Sequence, residues 1–393
     1  MVAASTTSLA PRPLDARRRP SCTNDAPSHA RALRVAMLAP PWIPIPPPKY
    51  GGIEAVVSHL VSGLVARGVD VTLFAAPGSR APGADVVALL DSPHPEEIGC
   101  AFVEIDHVAR AFALIDAATS EDRRFDVVHD HCGCAAFAMA DRLATPLLHT
   151  LHGPFDEATS PFYAAHAHKA WVVAISRWQL RHAPAGVRSV GVIPNPIDVD
   201  AWPFEPRKRD HLLWMGRMTE YKGAHRAIAV AKRSGRALVL AGPVQPGQEE
   251  YFEREVEPHI DGSAVRYVGE VGGPDKQRLF AEAAALLMPI RWPEPFGMVM
   301  IEAMASGTPV IAFREGAAYE VISDGGCGFL VDDEDGMVEA VGRLAQIDPA
   351  SCRQHVSDAY DVAVVAHVYE EAYRQVAAAA EARTGAGKLM ASA

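Results

Sequence analysis

Residues 285–313 read ALLMPIRWPEPFGMVMIEAMASGTPVIAF, and this stretch decides the fold. It opens on an apolar run, bends through two prolines, continues as an apolar helix and closes on a second apolar run, TPVIAF (308–313). Short continuous apolar runs suit strands buried on both faces. Strand, helix and strand in succession form the βαβ unit of a parallel sheet. Pro295 disfavours helix at Glu294 before it, so the helix is expected to start near Gly297.

The same alternation extends in both directions. Upstream it gives strands at 33–39, 68–76, 125–131, 146–153, 170–176 and 188–196. A polar, turn-rich stretch at 197–210, IDVDAWPFEPRKRD, reads as an interdomain linker. The alternation then restarts with strands at 211–218, 236–243, 264–271, 285–292, 308–313 and 327–333. The expected fold class is α/β, with two Rossmann-like open parallel sheets facing across a cleft. The expected segments are a leader over 1–30, a first domain over 31–200, a second over 201–363, and a final helix and tail over 364–393. That helix is expected at about 365–383.

Composition narrows the function classes. The chain has 393 residues, ordinary for two domains. Its formal charge of -11 argues against a nucleic-acid partner, which needs basic surface. No apolar run reaches the ~18 residues of a membrane span. The first 30 residues are rich in Ala, Arg, Pro and Ser with no apolar core, which argues against a signal peptide and for a disordered leader; an organelle transit peptide is the other reading. Six scattered cysteines suggest no disulfide framework and a reducing, cytoplasmic setting.

The chemistry is expected just after strands, where open α/β sheets bind ligands. In the opening stretch, backbone N–H groups at 297–299 would face the cleft as an anion site. Gly297 permits close approach, and Glu302 falls in the second helical turn, leaning back toward the helix start. Glu294 and Glu302 then flank an anion, the shape of a sugar diphosphate. GRMTEYKG (216–223) adds Arg217 and Lys222, a fork and a point charge suited to phosphate. Gly51 and Gly52 sit between the first strand and first helix, where amides can face phosphate, although a plain turn explains them equally well. No G-x-G-x-x-G occurs, which disfavours a dehydrogenase-type dinucleotide site.

LHTLHGP (148–154) places His152 directly after a strand, within reach of a sugar hydroxyl, whereas His149 reads as a packed core residue. HDHCGC (129–134) has neither C-x-x-C nor H-x-x-x-H spacing, so no metal is expected there. Asp130 and His131, at a strand end, are candidates for contact with an acceptor.

Together these motifs resemble the retaining glycosyltransferases of family 4, whose fold is called GT-B. The likeness runs over about 33–380 and rests on GGIE, HG at 152–153, VIPNPID at 192–198, GR and KG at 216–223, and the E-x7-E signature in EPFGMVMIEAMASGTPVIA. The resemblance implies that Glu302 binds ribose hydroxyls. It implies that Glu294 holds the donor sugar, helped by backbone amides of Phe296, Gly297, Met298 and Val299. Arg217 and Lys222 should hold the diphosphate, His152 should sit near the sugar, and Gly52 should approach the phosphate. Glu270 and Val271, in the GEV turn, should meet the base, and the last helix should cross back to the first domain. One departure is Pro196, in NPID, where many relatives carry glycine.

The function this implies is transfer of a hexosyl group from UDP- or GDP-hexose to a hydroxyl of a small-molecule, glycan or lipid-linked acceptor, with retention. No cofactor and no metal are expected, because two cations face the leaving group. A sugar phosphorylase, a glycoside hydrolase and a non-catalytic nucleotide-sugar-binding protein are the competing readings.

Overall fold

The computed structural model describes residues 31–118 and 124–391, with side chains through 383. The leader expected over 1–30 lies outside the described residues.

Thirteen short strands build two sheets among the described residues. The first has β1 (Arg34–Leu38), β2 (Asp70–Ala75), β3 (Asp85–Ala88), β4 (Val127–Asp130), β5 (Leu147–Leu151), β6 (Trp171–Ala174) and β7 (Arg188–Val192). Its order is β3-β2-β1-β4-β5-β6-β7. The second has β8 (Leu212–Met215), β9 (Leu238–Ala241), β10 (Val265–Tyr267), β11 (Ala285–Met288), β12 (Val310–Phe313) and β13 (Gly328–Val331), in the order β10-β9-β8-β11-β12-β13. Every pairing is parallel, for example Val35 opposite Val71 and Val127, and Leu213 opposite Leu286.

Alternation along β1 shows why these runs are continuously apolar. Val35 and Met37 join the core beneath helix α1 (Gly52–Ala66), while Ala36 and Leu38 join the core on the opposite face. All four are fully buried, as a sheet covered on both sides requires. β3 escaped the sequence reading because it is a four-residue edge strand whose side chains are mostly exposed.

The terminal helix begins three residues earlier than expected and runs Val362–Ala391. Val365, Ala366, Tyr369, Ala372, Tyr373 and Val376 are buried, a stripe at helical spacing. They enter the core of the first sheet with α1.

The stretch read as a linker is tied down. Ile197 N–H donates to the Tyr360 carbonyl, and Val362 N–H donates back to Ile197, both at 2.9 Å. Arg353 reaches the carbonyls of Val199 and Trp202 at 2.9 Å and of Ala305 at 2.7 Å. Three partners distant in sequence therefore hold the crossover, and Trp202 packs into the core of the second sheet.

Candidate active site

Strand order reverses between β1 and β4 in the first sheet and between β8 and β11 in the second. Open α/β sheets bind ligands outside the strand ends at such points. The loops leaving β1, β8 and β11 carry Gly51 and Gly52, Gly216 and Arg217, and Trp292 to Gly297 respectively. They line one cleft of about 700 Å³. Arg217, Lys222, Glu294, Phe296, Gly297, Met298, Val299, Glu302, Glu270, Val271, His152, Gly51 and Gly52 all face it.

The helix Met298–Ala305 starts at this cleft. Gly297 precedes it with φ 87, a left-handed conformation that favours glycine. A Cβ there would lie 2.7 Å from Met300 Cε, so close packing adds to the backbone requirement. Met300 N–H is taken by the Gly297 carbonyl at 3.0 Å. The N–H groups of Met298 and Val299 precede any intrahelical acceptor and point outward at the helix start. Gly52 is the opposite case, because a Cβ there would meet no atom within 4 Å. The space beside it is open cleft.

Glu302 is 4% exposed. Its Oε1 accepts from Lys276 Nζ at 2.6 Å, while Oε2 is buried with no hydrogen-bond partner. Such an oxygen is costly unless a ligand completes it. Glu294 is held by Lys222 Nζ and by Trp292 Nε1, the latter at 3.1 Å. Arg217 donates to Tyr221 Oη at 3.0 Å and to Gln245 Oε1 at 3.3 Å. Its guanidinium is thus aimed by two neutral groups, which leave its charge available to a ligand. Across the cleft, Glu270 accepts from the Tyr50 N–H at 3.2 Å and lies 3.8 Å from Lys49 Nζ.

Behind the cleft lies a histidine cluster. His152, at the cleft wall, hydrogen-bonds His131 at 2.9 Å. The His131 ring packs tilted against His129 with centroids 4.1 Å apart, and His129 in turn bonds Tyr373 at 2.7 Å and Thr150 at 2.8 Å. Burial, with His149 adding, pushes the His152 imidazole down to about 3, so it is neutral at pH 7. Burial likewise holds His129 and His131 well below the ordinary value.

Asp130 and His131, the residues expected to contact an acceptor, are not among the residues that line the cleft. Both are fully enclosed. Asp130 accepts from the Cys132 N–H at 3.0 Å and bonds His149 Nδ1 at 2.6 Å, facing the interior. His131 stands behind His152 rather than beside it. Their position at a strand end was legible, but their buried contacts with His149 and His152 were not. Among the described residues, no three His, Cys, Asp or Glu side chains are grouped to hold a metal ion.

Sequence reasoning missed Lys276, Glu54, Asn195 and Trp292, which also line the cleft. Lys276 had a signal, since GGPDK places it in the first turn after a glycine pair. Glu54 stands in GGIE, where an acid in the first turn of a helix is an ordinary feature and sets off no signal. Asn195, whose Oδ1 is buried without a partner, carried no signal.

Two family descriptions match the chain in tandem: Glycosyltransferase Family 4 over residues 50–201 and Glycosyl transferases group 1 over 209–346. The glycogen synthase of Mycobacterium tuberculosis is 28% identical over 87% of this chain and 94% of its own length. The D-inositol 3-phosphate glycosyltransferase of Arthrobacter sp. is 25% identical over 76% of this chain and 83% of its own. Among solved structures, a glycosyltransferase involved in avilamycin A biosynthesis is 29% identical with a TM-score of 0.66, covering 88% of this chain and 98% of that one. Anabaena HepE, solved with UDP and glucose, has the same TM-score of 0.66 at 17% identity, over 87% of this chain and all of that one, a likeness of fold. With a glycosyltransferase description matching each half and full-length relatives of that activity, the chain is a glycosyltransferase homologue with the GT-B fold.

Proposed function

We propose that the chain moves a hexosyl group from a UDP- or GDP-hexose to a hydroxyl of a small-molecule, glycan or lipid-linked acceptor, keeping the anomeric configuration. The observation that carries this reading is the unpartnered, buried Oε2 of Glu302, set beside a free helix start and two cations. In this reading a ribose hydroxyl completes Glu302. The diphosphate lies against Arg217, Lys222 and the amides of Met298 and Val299.

Charge develops on the leaving diphosphate, so the catalysis required is electrostatic. Arg217 and Lys222 supply it, which is why we propose that no metal or other cofactor is needed. Lys222 and Glu294 pair with each other in the unliganded protein. On binding, the phosphate would draw the lysine and a sugar hydroxyl would take the carboxylate. The neutral His152 is suited to hydrogen-bond a sugar oxygen without adding charge. Glu270 and Val271 would meet the base from the rim. The described cysteines at 100, 132, 134, 327 and 352 are unpaired, which supports a reducing, cytoplasmic setting. No described helix is long and apolar enough to cross a membrane.

The test is a calorimetric and thermal-shift screen of UDP, GDP, ADP and their hexose conjugates, with Glu302→Ala and Arg217→Ala alongside. The reading expects one nucleotide series to bind, weakened in both variants, and product NMR to show the donor's anomeric configuration. Hydrolysis of simple glycosides without nucleotide would support the hydrolase. Turnover dependent on inorganic phosphate alone would support the phosphorylase. Tight donor binding with no transfer to any acceptor would support the non-catalytic sensor.

A further inference from the structure

The two walls of the cleft differ in how their acids are paired. On the second domain's wall stand Arg217, Lys222 and Lys276 together with Glu270, Glu294 and Glu302, and each of these acids lies beside a lysine. On the first domain's wall the described charged groups are Lys49 and Glu54. Lys49 sits at the mouth with its side chain 58% exposed, paired with Glu270. Glu54 lies deeper, in the first turn of α1, and is 4% exposed. Among the described residues no cation pairs with it. A Cβ added at Gly51 would lie 3.0 Å from Glu54 Oε2, so this oxygen sits directly under the glycine loop. Around it the wall is apolar or neutral: Trp42, Ile53, Ile98, His152 and Asn195.

The Glu54 carboxyl faces the cleft with no described cation, its own backbone N–H opposing the cost of burial, and a ligand hydroxyl there would offset that cost. In the transferase reading the donor's phosphates lie against Arg217 and Lys222, so the partner of Glu54 is assigned to the acceptor. We propose that Glu54 binds a hydroxyl of the acceptor, and that the acceptor is an uncharged polyhydroxy compound, a sugar or polyol, rather than a phosphorylated or carboxylated one. The proposal rests on the transferase reading above. Burial lifts the Glu54 carboxyl to about 7, so it can accept from a hydroxyl when ionised and donate to one when protonated. A phosphoryl group beside it would meet like charge with no compensating cation. The apolar side chains suit the flat faces of a pyranose or cyclitol.

The experiment uses the full chain with the nucleotide sugar that binds it. Release of nucleoside diphosphate is measured with matched acceptors: glucose and glucose 6-phosphate, mannose and mannose 6-phosphate, myo-inositol and its 1-phosphate. The neutral member of a productive pair is expected to show kcat/KM higher by about 100-fold. Glu54→Gln is expected to raise the acceptor KM by about tenfold with the nucleotide Kd unchanged. Glu54→Lys is expected to favour the phosphorylated member. A second arm needs no productive acceptor: nucleotide-saturated protein is titrated with inorganic phosphate at low millimolar concentration, with sulfate-free buffer as reference. Wild type should show no thermal shift and Glu54→Lys an upward one. A better or equal phosphorylated acceptor, an unchanged acceptor KM in Glu54→Gln, or phosphate binding to wild type overturns the proposal. If no pair is turned over, the phosphate arm decides alone. Absence of any nucleotide binding would instead count against the transferase reading, and the two failures are thus distinct.

Discussion

Replacing Glu54 with glutamine should stabilise the nucleotide-free protein, and only above mildly acidic pH. Burial raises this carboxyl from its ordinary 4.5 to about 7, opposed only by its own backbone N–H. Between those values the folded chain holds a proton that the unfolded chain has already lost. Stability therefore falls as pH rises through that window, because the folded state binds more protons there. The group costs nothing below about pH 4.5 and its full penalty above about pH 7. At 1.36 kcal/mol per pH unit the penalty comes to about 3 kcal/mol. Glutamine is nearly isosteric and cannot ionise, so the variant should match wild type near pH 4.5 and exceed it by about 3 kcal/mol at pH 8. Urea unfolding of both proteins across pH 4.5–8.5 measures the difference, which cancels every other titrating group common to the two. Two parallel curves with a constant offset would refute the reasoning, since they would mean that Glu54 titrates alike in the folded and unfolded chains.

Other perturbations test separate parts of the site. Lys276→Met leaves Glu302 without its cation and should weaken nucleotide binding about tenfold by calorimetry, an affinity loss of ~1.4 kcal/mol. Gly297→Ala forces a side chain into the left-handed region against Met300 Cε and should cost ~1–3 kcal/mol of stability by denaturant unfolding. Burial holds His107 down at about 4, so its contribution is fully present above about pH 6.5 and is lost as pH falls toward 4. His107→Leu should flatten that acid limb of the stability curve by up to ~3 kcal/mol. A nucleotide supplied at 100 times its Kd should add ~2.7 kcal/mol of stability to wild type and much less to Glu302→Ala, read as a thermal shift.

What the sequence made legible, and what it hid, divide along a physical line. Twelve of the thirteen strands were readable, because a strand covered on both faces must be apolar at every position, and that requirement is local. β3 was not, because an exposed edge strand needs no such run. The loops after β8 and β11 were readable for a related reason: their glycines and charges follow a strand within a few residues. The crossover at 197–210 looked like a free linker because its restraints, Tyr360, Val362 and Arg353, lie some 150 residues away. Asp130 and His131 stand at the right strand end, yet both are buried, Asp130 against His149 and His131 against His152 and His129, and it is His129 that Tyr369 and Tyr373 of the terminal helix contact. Distance in sequence hides contacts of this kind.

Glu54 was hidden in a different way, since an acid in the first turn of a helix is ordinarily a favourable surface feature that complements the helix dipole. What sets it apart is burial without a cation, and only the folded chain shows that. The same criterion separates Glu294 and Glu302 on the donor wall from Glu54 opposite. Glu294 and Glu302 each have a lysine within contact, so each is stable before a ligand arrives, and each must give up or share that lysine when one does. Glu54 has none, and its ionisation works against the folded state. A group that lowers stability in the empty protein is retained most simply where a bound molecule repays it. The acceptor is the one substrate that the cations of the opposite wall do not already claim.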